Sequence, residues 1–262
     1  MANSNILDTI VEQKRLEVLK RKRDFPLSSL ASFESYRRKT NRIEFPKGDE
    51  KAGIIAEFKR KSPSRGLIHP DANPVEVANA YEAAGVSAMS ILTDQSFFGG
   101  SLKDLKQVRK ACPHLVLLRK DFIIDSYQLH EASASGADMI LLIAAILEGH
   151  EVEELALEAA SLGLNTLFEV HHEGELEKYH QEISFVGVNN RDLKTFKVDT
   201  GRSLELIGAM PPNVTAVSES GLSDPEEIRK LSDAGFSLFL MGENFMKEED
   251  PGAACERFIN LI

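Results

Sequence analysis

The chain of 262 residues has no tryptophan, only two cysteines and no apolar run longer than the nine residues from Met139 to Leu147. Such a run is less than half of the roughly 20 residues that a membrane-spanning helix needs. Cys112 and Cys255 stand far apart and no CxxC pair occurs, which argues against a disulfide framework or a thiolate zinc site. The start of the chain also lacks the apolar segment and small-residue cleavage site of a signal peptide. These absences predict a soluble protein of the reducing cytoplasm.

Positive charge is in deficit as well, because 31 Lys and Arg stand against 41 Asp and Glu, for a net charge of -10. This balance argues against a nucleic-acid surface and against binding to an anionic membrane. It still permits a local basic pocket, so the expected partner is a small anionic metabolite. His171 and His172 have no third ligand at a recognised spacing, and no metal site is expected. A hydrophobic content of 42% is ample for a large core.

One pattern recurs along the chain, in which a helical segment ends at a glycine and an apolar strand begins within a few residues. The glycines in these positions are Gly85, Gly136, Gly163 and Gly235. Each is interpreted as the residue that ends its helix. Filling in the remaining apolar runs predicts eight strands, near 54–59, 87–92, 115–120, 138–143, 165–170, 185–189, 214–219 and 237–241.

Helical segments separate most of these strands, and the clearest are 74–84, 126–135, 151–162 and 225–234. Alternation of strands and helices predicts a parallel sheet. Eight βα units favour a closed (β/α)8 barrel over a doubly wound sheet, which would also require a glycine-rich GxGxxG turn that is absent. The fold class is therefore α/β, a TIM barrel in one domain over 1–262, with 1–50 as an N-terminal helical extension packed on it.

The extension begins with a predicted helix whose apolar face is formed by Ile6, Leu7, Ile10 and Val11. Its other side is basic over the segment KRLEVLKRKR at 14–23. We expect this basic side to be a solvated helix face, with a nucleic-acid role as the weaker alternative. A second short helix is predicted at 27–36.

The first predicted strand carries charge where burial is expected. Alternation places Ile55, Glu57 and Lys59 on one face and Ile54, Ala56 and Phe58 on the other. An acid and a base therefore stand side by side before a Ser-Pro-Ser-Arg-Gly loop. The alternative interpretation is an ordinary ion pair on a solvated strand face.

Other predicted strands end in similar polar residues, namely Lys120, Glu169, Asn189 and Glu219. In a (β/α)8 barrel, side chains of one interior layer come from alternate strands, and chemistry lies at the carboxyl ends. The lysines and glutamates all come from odd-numbered strands, so they are expected to meet in the barrel interior. Burial is expected to lower the pKa values of the lysines and to raise those of the glutamates, which suits general acid–base catalysis. A structural ion-pair network is the alternative.

The last two strands are followed by Gly221 and Gly242. The loops that follow the seventh and eighth strands, called loops 7 and 8 below, form the usual phosphate site of such barrels. Glycine in these loops lets backbone N–H groups approach phosphate oxygens. A helix that begins after Gly242 would direct its positive end toward the same anion.

Seven sequence blocks occur in the order and spacing of one enzyme family. They are IAEFKRKSPSRG at 55, SILTDQSFFGGSLKDL at 90, LRKDFIID at 118, FEVHHEGEL at 168, VGVNNRDLKTFKVD at 186, AVSESGLSD at 216 and LMGENFM at 240. In these blocks the chain resembles the indole-3-glycerol phosphate synthases. The resemblance implies an enzyme of tryptophan biosynthesis that converts 1-(2-carboxyphenylamino)-1-deoxyribulose 5-phosphate to indole-3-glycerol phosphate, with loss of CO2 and water and without a cofactor.

The resemblance also implies residue roles. Lys120 is the expected general acid on the ketone oxygen, and Glu169 helps the hydroxyl leave or takes the ring proton. Glu57 and Lys59 position and polarise the reacting centre, with the division of labour between the two lysines left open. Implied substrate contacts are Asn189, Arg191, Glu219 and Ser220 around the ribulose, Phe98 and Phe122 at the aromatic ring, and Ser62, Gly221, Gly242 and Glu243 at the phosphate. Glu243 is expected to act through its backbone N–H, with its carboxylate pointing away.

Two other functions are consistent with a barrel of this kind. A phosphoribosylanthranilate isomerase would need an Asp and a Cys as an acid–base pair at strand ends, and Cys112 is predicted in a helix-to-strand turn. A barrel that has lost catalysis would carry an apolar residue at one of the charged positions, yet all remain polar. The expected assembly is a monomer or a weak homo-oligomer.

Overall fold

The computed structural model describes residues 6–44, 52–192 and 195–262, and within them eight parallel strands form a closed barrel. Each strand pairs with the next, and the last pairs with the first through Gly53 and Leu238. The strands are β1 Gly53–Phe58, β2 Ala88–Leu92, β3 Leu117–Lys120, β4 Met139–Ile143, β5 Asn165–Val170, β6 Phe185–Asn189, β7 Thr215–Glu219 and β8 Leu238–Met241. The predicted (β/α)8 barrel is confirmed, with all eight strands within two residues of their predicted bounds.

Helices fill most connections between the strands. They are α1 Ile6–Asp24, α2 Leu27–Leu30, α3 Pro74–Ala83, α4 Leu102–Ala111, α5 Ser126–Ser135, α6 Gly149–Ser161, α7 Gly201–Leu206, α8 Pro225–Ala234, α9 Glu243–Met246 and α10 Pro251–Ile259, with 3-10 helices at Ala144–Ile146, Glu173–Lys178 and Ile207–Ala209. The predicted second helix at 27–36 is too long, because α2 ends at Leu30 and turns follow it.

Side chains at the helix termini explain why these helices begin and end where they do. The carboxylates of Asp125 and Asp224 accept hydrogen bonds from backbone N–H groups in the first turns of α5 and α8. Such caps satisfy donors that the helix itself cannot. The four predicted terminal glycines all have positive φ, from 74° at Gly163 to 123° at Gly235. Residues with a Cβ rarely adopt that conformation, so glycine allows each chain reversal.

The alternation along β1 divides its side chains between two cores. Ile55 packs inside the barrel with Leu118, Leu167 and Val217, whereas Ile54 packs in the layer between strands and helices. The predicted inward face of β1 is therefore confirmed, and Glu57 shares it. Leu7 and Ile10 of α1 join the barrel interior cluster, so the N-terminal helix covers one end of the barrel.

Candidate active site

Four charged side chains from three odd-numbered strands and the loop after β1 meet at the carboxyl end of the barrel interior. We call Glu57, Lys59, Lys120 and Glu219 the inner cluster. The ammonium of Lys120 lies 3.2 Å from Glu57 Oε2 and 3.1 Å from Glu219 Oε2, and Lys59 Nζ lies 2.6 Å from Glu57 Oε1. All four side chains are no more than 16% exposed. Lys59 stands one residue beyond β1, not within it as predicted.

Pairing controls the protonation of the two central groups. Burial alone would lower the pKa of Lys120, but Glu57, Glu219 and Glu169 together raise it above its ordinary value. Burial would likewise raise the pKa of Glu57, but Lys59 and Lys120 lower it to about 2. The expectation that burial lowers the lysine pKa values and raises those of the glutamates is therefore wrong for Lys120 and Glu57. Coulomb attraction over about 3 Å outweighs desolvation here, and both groups are charged at neutral pH.

Glu219 behaves as the sequence predicted. Burial, with the nearby charges of Glu169 and Glu57, raises its pKa to about 7, although Lys120 opposes the change. Its Oε1 atom is buried and has no hydrogen-bond partner among the described residues. A Cβ at Gly187, on the neighbouring strand β6, would come within 2.2 Å of that oxygen. Gly187 therefore provides the space that the carboxylate occupies.

Glu169 is buried at the end of β5 and contributes to the electrostatic environment of Lys120. Its Oε1 lies 3.6 Å from Nε2 of His171, whose Nδ1 lies 3.6 Å from Glu175 Oε2. Burial opposes protonation of His171, but Glu175 and Glu169 raise its pKa. Glu169 therefore has an imidazole neighbour that the sequence did not predict.

An apolar slot opens beside the inner cluster. Phe98 and Phe122 form one wall, with ring centroids 6.0 Å apart and ring planes inclined by 39°. Ile6, Leu7 and Ile10 from α1 also line this cavity, whose volume is about 130 Å³. The slot combines flat apolar walls with Lys120 and Glu169 at its edge, as expected for the aromatic end of a ligand.

A second cavity of about 530 Å³ adjoins the slot and shares Glu57, Lys59 and Lys120 with it. Loops 7 and 8 line its far side through Ser220, Gly221, Leu222, Ser223, Gly242 and Glu243. Ser220 and Gly221 have φ of 68° and 78°, and α9 begins directly after Gly242. Ser62 lines the slot beside this cavity. The predicted phosphate-end residues are thus brought together around the two cavities.

The side chain of Glu243 differs from its prediction. Its carboxylate does not point away but lies at the edge of both cavities, 2.9 Å from Arg65 Nε and 3.6 Å from Arg191 Nη2. Two arginines attract it there, which the sequence spacing did not reveal. Gly242 also has a role beyond a turn, because a Cβ at that position would lie 2.6 Å from Glu57 Oε1.

A second group of buried charges lies on the other side of β3, among the helices. We call Lys14, Asp94, Arg119, Asp121 and Glu131 the outer cluster. Arg119 donates to Asp121 at 3.0 Å and to Glu131 at 3.3 Å, and Lys14 lies 2.8 Å from Asp94 and 2.9 Å from Asp121. Lys14 is only 1% exposed. The expectation that the whole basic side of α1 is solvated is therefore wrong at Lys14.

A further cavity of about 630 Å³ lies at the opposite end of the barrel, among Gly53, Val116 and Ile262. It contains none of the predicted site residues, and chemistry in these barrels lies at the carboxyl ends of the strands. Within the described ranges no group of three or more His, Cys, Asp and Glu is arranged to hold a metal ion. In the same ranges no helix is both long and apolar enough to cross a membrane.

The sequence profile of the indole-3-glycerol phosphate synthase family matches residues 7–258. The chain belongs to this family. It is 44% identical to the indole-3-glycerol phosphate synthase of Bacteroides thetaiotaomicron over 258 residues, which cover 98% of this chain and 99% of the relative. It is 42% identical to that of Salinibacter ruber over 256 residues, which cover 97% and 94%. The family resemblance predicted from the seven sequence blocks is confirmed.

Solved structures support the fold of this synthase-family chain independently. A 3-hexulose-6-phosphate synthase matches with a TM-score of 0.61 at 15% identity, covering 81% of this chain and 99% of that one. A chain of the tryptophan synthase complex from Pyrococcus furiosus matches with a TM-score of 0.59 at 14% identity, covering 79% and 96%. At such low identity these matches establish only the barrel fold.

Asn190 also stabilises the site, and the sequence did not predict this role. Asn190 is fully buried and donates to Ser218 Oγ at 3.1 Å and to the Ser220 carbonyl at 3.3 Å, while accepting from Ser203 Oγ. Asn189 accepts from the backbone N–H of Arg191. The pair thus fixes loops 6 and 7, and two adjacent asparagines at a strand end were the available signal.

Proposed function

We propose that this member of the family closes 1-(2-carboxyphenylamino)-1-deoxyribulose 5-phosphate to indole-3-glycerol phosphate, with the inner cluster at the reacting centre. The main observation in support is that Lys120 lies between the carboxylates of Glu57 and Glu219. It also lines both the aromatic slot and the cavity formed by loops 7 and 8. A substrate with an aromatic acid at one end and a phosphate at the other fits this order of sites. Its ketone then lies beside the ammonium.

In the proposed first step, the ring carbon that bears the carboxylate attacks the ketone carbon while Lys120 donates a proton to the ketone oxygen. The carboxylate then leaves as CO2, and its bonding electrons restore the ring. The hydroxyl leaves as water with a proton from an acidic group, and loss of a proton from the adjacent CH2 carbon completes the indole. We assign Glu169 to this second stage, either as the acid for the hydroxyl or as the base.

Glu57 and Lys59 are proposed to keep Lys120 charged and correctly placed, since Glu57 bridges both lysines. Asn189, Arg191, Glu219 and Ser220 are proposed to contact the ribulose hydroxyls. The free Oε1 of Glu219 supports this assignment, because an unpaired buried acceptor is satisfied by a substrate hydroxyl.

The phosphate is assigned to Ser62, Gly221, Gly242 and Glu243, the last through its backbone N–H. Arg65 and Arg191 already pair with the Glu243 carboxylate, so an arriving phosphate competes with that carboxylate for the two guanidinium groups. The hairpin of Lys61–Ser62 with Gly66–Leu67 carries Arg65, and we propose that it closes over the bound substrate as a lid. Substrate should increase hydrogen-exchange protection in this hairpin, and unchanged protection would exclude closure.

The direct test is a fluorescence assay of product formation with EDTA present and no added metal. The protein contains no tryptophan, so indole fluorescence reports only the product. Activity in the wild type that disappears in Lys120→Ala supports both the reaction and the assigned acid. A folded wild type without activity would contradict the proposal.

The isomerase alternative has little support in the geometry. Cys112 follows α4 in the core layer between strands and helices, and Cys255 lies in α10. Neither cysteine lines the aromatic slot or the cavity formed by loops 7 and 8. We further propose a cytoplasmic protein that is a monomer or weak homo-oligomer, which sedimentation velocity over a range of concentrations would test.

A further inference from the structure

Lys14 stands in a position of α1 that the helical pattern reserves for an apolar residue. The buried stripe of this helix is Leu7, Ile10, Lys14 and Val18, at intervals of three and four residues. Lysine is rarely fully buried unless it is paired. A lysine in the middle of such a stripe therefore indicates that its charge has specific partners.

One partner is Glu17 on the same helix, whose Oε2 lies 3.0 Å from Lys14 Nζ, and the two fully buried partners belong to two different βα loops. Lys14 Nζ lies 2.8 Å from Asp94 Oδ2, after β2, and 2.9 Å from Asp121 Oδ1, after β3. Both carboxylates are fully buried. Burial opposes the charge of Lys14, but Asp121 and Asp94 raise its pKa, so the ammonium remains protonated at neutral pH. One cation thus joins two loops that have no covalent link close by.

The two carboxylates also hold the backbone of the aromatic wall. Asp94 Oδ1 accepts from the N–H groups of Phe97 at 2.7 Å and Phe98 at 3.3 Å. Asp121 Oδ1 accepts from the N–H of Phe122 at 2.9 Å. Each aspartate therefore connects the ammonium of Lys14 to one of the two rings that line the slot.

We propose that Lys14 is a positioning residue for substrate: through Asp94 and Asp121 it sets the spacing of Phe98 and Phe122, so the N-terminal helix determines how the aromatic end of the substrate is held. The proposal rests on the assignment of these rings to that end. The phosphate end, built from loops 7 and 8, does not depend on Lys14.

The test compares Lys14→Met with Lys22→Met. Lys22 lies on the same helix and pairs at 2.7 Å with Asp125, the residue that caps α5, but it is 43% exposed and pairs with neither Asp94 nor Asp121. Two fragments that resemble the ends of the proposed substrate serve as probes and are tested as competitive inhibitors, N-methylanthranilate for the aromatic slot and inorganic phosphate for the phosphate end. Each inhibition constant is measured alongside KM, kcat and the thermal midpoint.

In Lys14→Met the inhibition constant of N-methylanthranilate should rise about tenfold, the size expected when a favourable aromatic contact is lost. The inhibition constant of phosphate should stay within about twofold, since no charged partner of Lys14 belongs to loop 7 or loop 8. KM should rise more than kcat falls. Lys14→Arg should recover part of the loss, because it restores the charge, and Lys22→Met should resemble the wild type in every constant.

Phe122→Ala separates the two proposals. If Phe122→Ala does not weaken N-methylanthranilate, the substrate orientation under the proposed function is wrong. If it does and Lys14→Met does not, the role of Lys14 alone is rejected. Equal weakening of both probes in Lys14→Met would indicate a general stabilising role and would also overturn the inference.

A variant that fails to fold does not end the test. Asp94→Asn keeps an oxygen for the two backbone N–H groups and removes the charge that faces Lys14. It should weaken N-methylanthranilate selectively, by less than Phe122→Ala does. The double variant Asp94→Asn with Phe122→Ala should be less than additive, and full additivity would contradict the link between the two.

Discussion

Arg119 and Lys120 are neighbours on β3, yet alternation sends them to opposite sides of the barrel wall and into two different charge clusters. In the outer cluster, Arg119 is fully buried and its donors meet Thr93, the Gln128 carbonyl, Asp121 and Glu131. In the inner cluster, Lys120 borders both cavities. Two adjacent residues of β3 thus form buried ion pairs in two separate clusters.

The difference between the clusters lies in what is left unpaired. The outer cluster has no buried side-chain nitrogen or oxygen without a hydrogen bond, whereas the inner cluster leaves Oε1 of Glu219 without one. A saturated network has no capacity left for a ligand and acts to hold helices and strands together. An unsaturated network beside a cavity keeps that capacity for substrate. Satisfaction of hydrogen bonds, not burial or charge, therefore distinguishes the candidate catalytic cluster from the structural one.

The largest expected effect is loss of activity in Lys120→Met. Removal of a general acid typically costs about 10²–10⁴-fold in rate. We expect a fall of that size in kcat, measured by product fluorescence, with a smaller loss of stability because Glu219 can take up a proton when its cation is removed. Activity close to that of the wild type would contradict the assigned role.

The matching change one residue earlier should act on stability instead. Arg119→Met leaves Asp121 and Glu131 buried with fewer partners, and breaking a buried pair typically costs about 3–5 kcal/mol. Urea unfolding followed by far-UV circular dichroism measures the loss. If Arg119→Met were as stable as Lys120→Met, the distinction between the two clusters would not hold.

Gly187→Ala should disturb the inner cluster without removing a charge. The added Cβ would lie 2.2 Å from Glu219 Oε1, and Lys120 holds the other oxygen of that carboxylate. Displacement of Glu219 should lower kcat/KM by about 10- to 100-fold, as misplacement of about 1 Å can. Gly208→Ala is the control, because nothing lies within 4 Å of its Cβ position. Equal activity in both variants would contradict the account of Gly187.

The smallest effect concerns the pH dependence of stability. The pKa of Glu219 rises from 4.5 to about 7 on folding, so its protonation stabilises the folded state fully below pH 4.5 and that contribution is lost as the pH rises through 7. Glu219→Gln removes this dependence. The free energy of unfolding should therefore change less between about pH 5 and about pH 8 in the variant than in the wild type. Identical pH profiles would indicate that Glu219 is not protonated in the folded state.

Local patterns were sufficient to predict the barrel, because hydrophobic periodicity and helix-ending glycines are properties of neighbouring residues. They also placed Glu57, Lys120, Glu169 and Glu219 correctly, since strand alternation determines the direction of a side chain. The direction of the Lys120 pKa shift depends on the distances from its ammonium to Glu57 and Glu219 on other strands. Hydrophobic periodicity gives no information about those distances. The assignment of the basic segment at 14–23 to solvent failed at Lys14 for the same reason, although its place between Ile10 and Val18 was a usable signal.

The glycines also show that local sequence patterns predict some features of the site and miss others. Gly221 and Gly242 were predicted from their place after strand ends, and both lie there. Gly187 was not predicted, because a glycine inside a strand has several explanations and only the position of Glu219 selects one. The role of Gly187 could not be predicted because it depends on contact with a side chain of the neighbouring strand.

The closure of the barrel also affects how the protein is made. Glu57 lies on the first strand, its partner Lys120 on the third, and Gly242, which packs against it, directly after the eighth. A ribosome releases these segments in order, so an incomplete chain exposes Glu57 to water and lacks the pairing of Gly53 with Leu238. The low pKa of Glu57 and the enclosed charge of Lys120 therefore arise together, when the final strand joins the first.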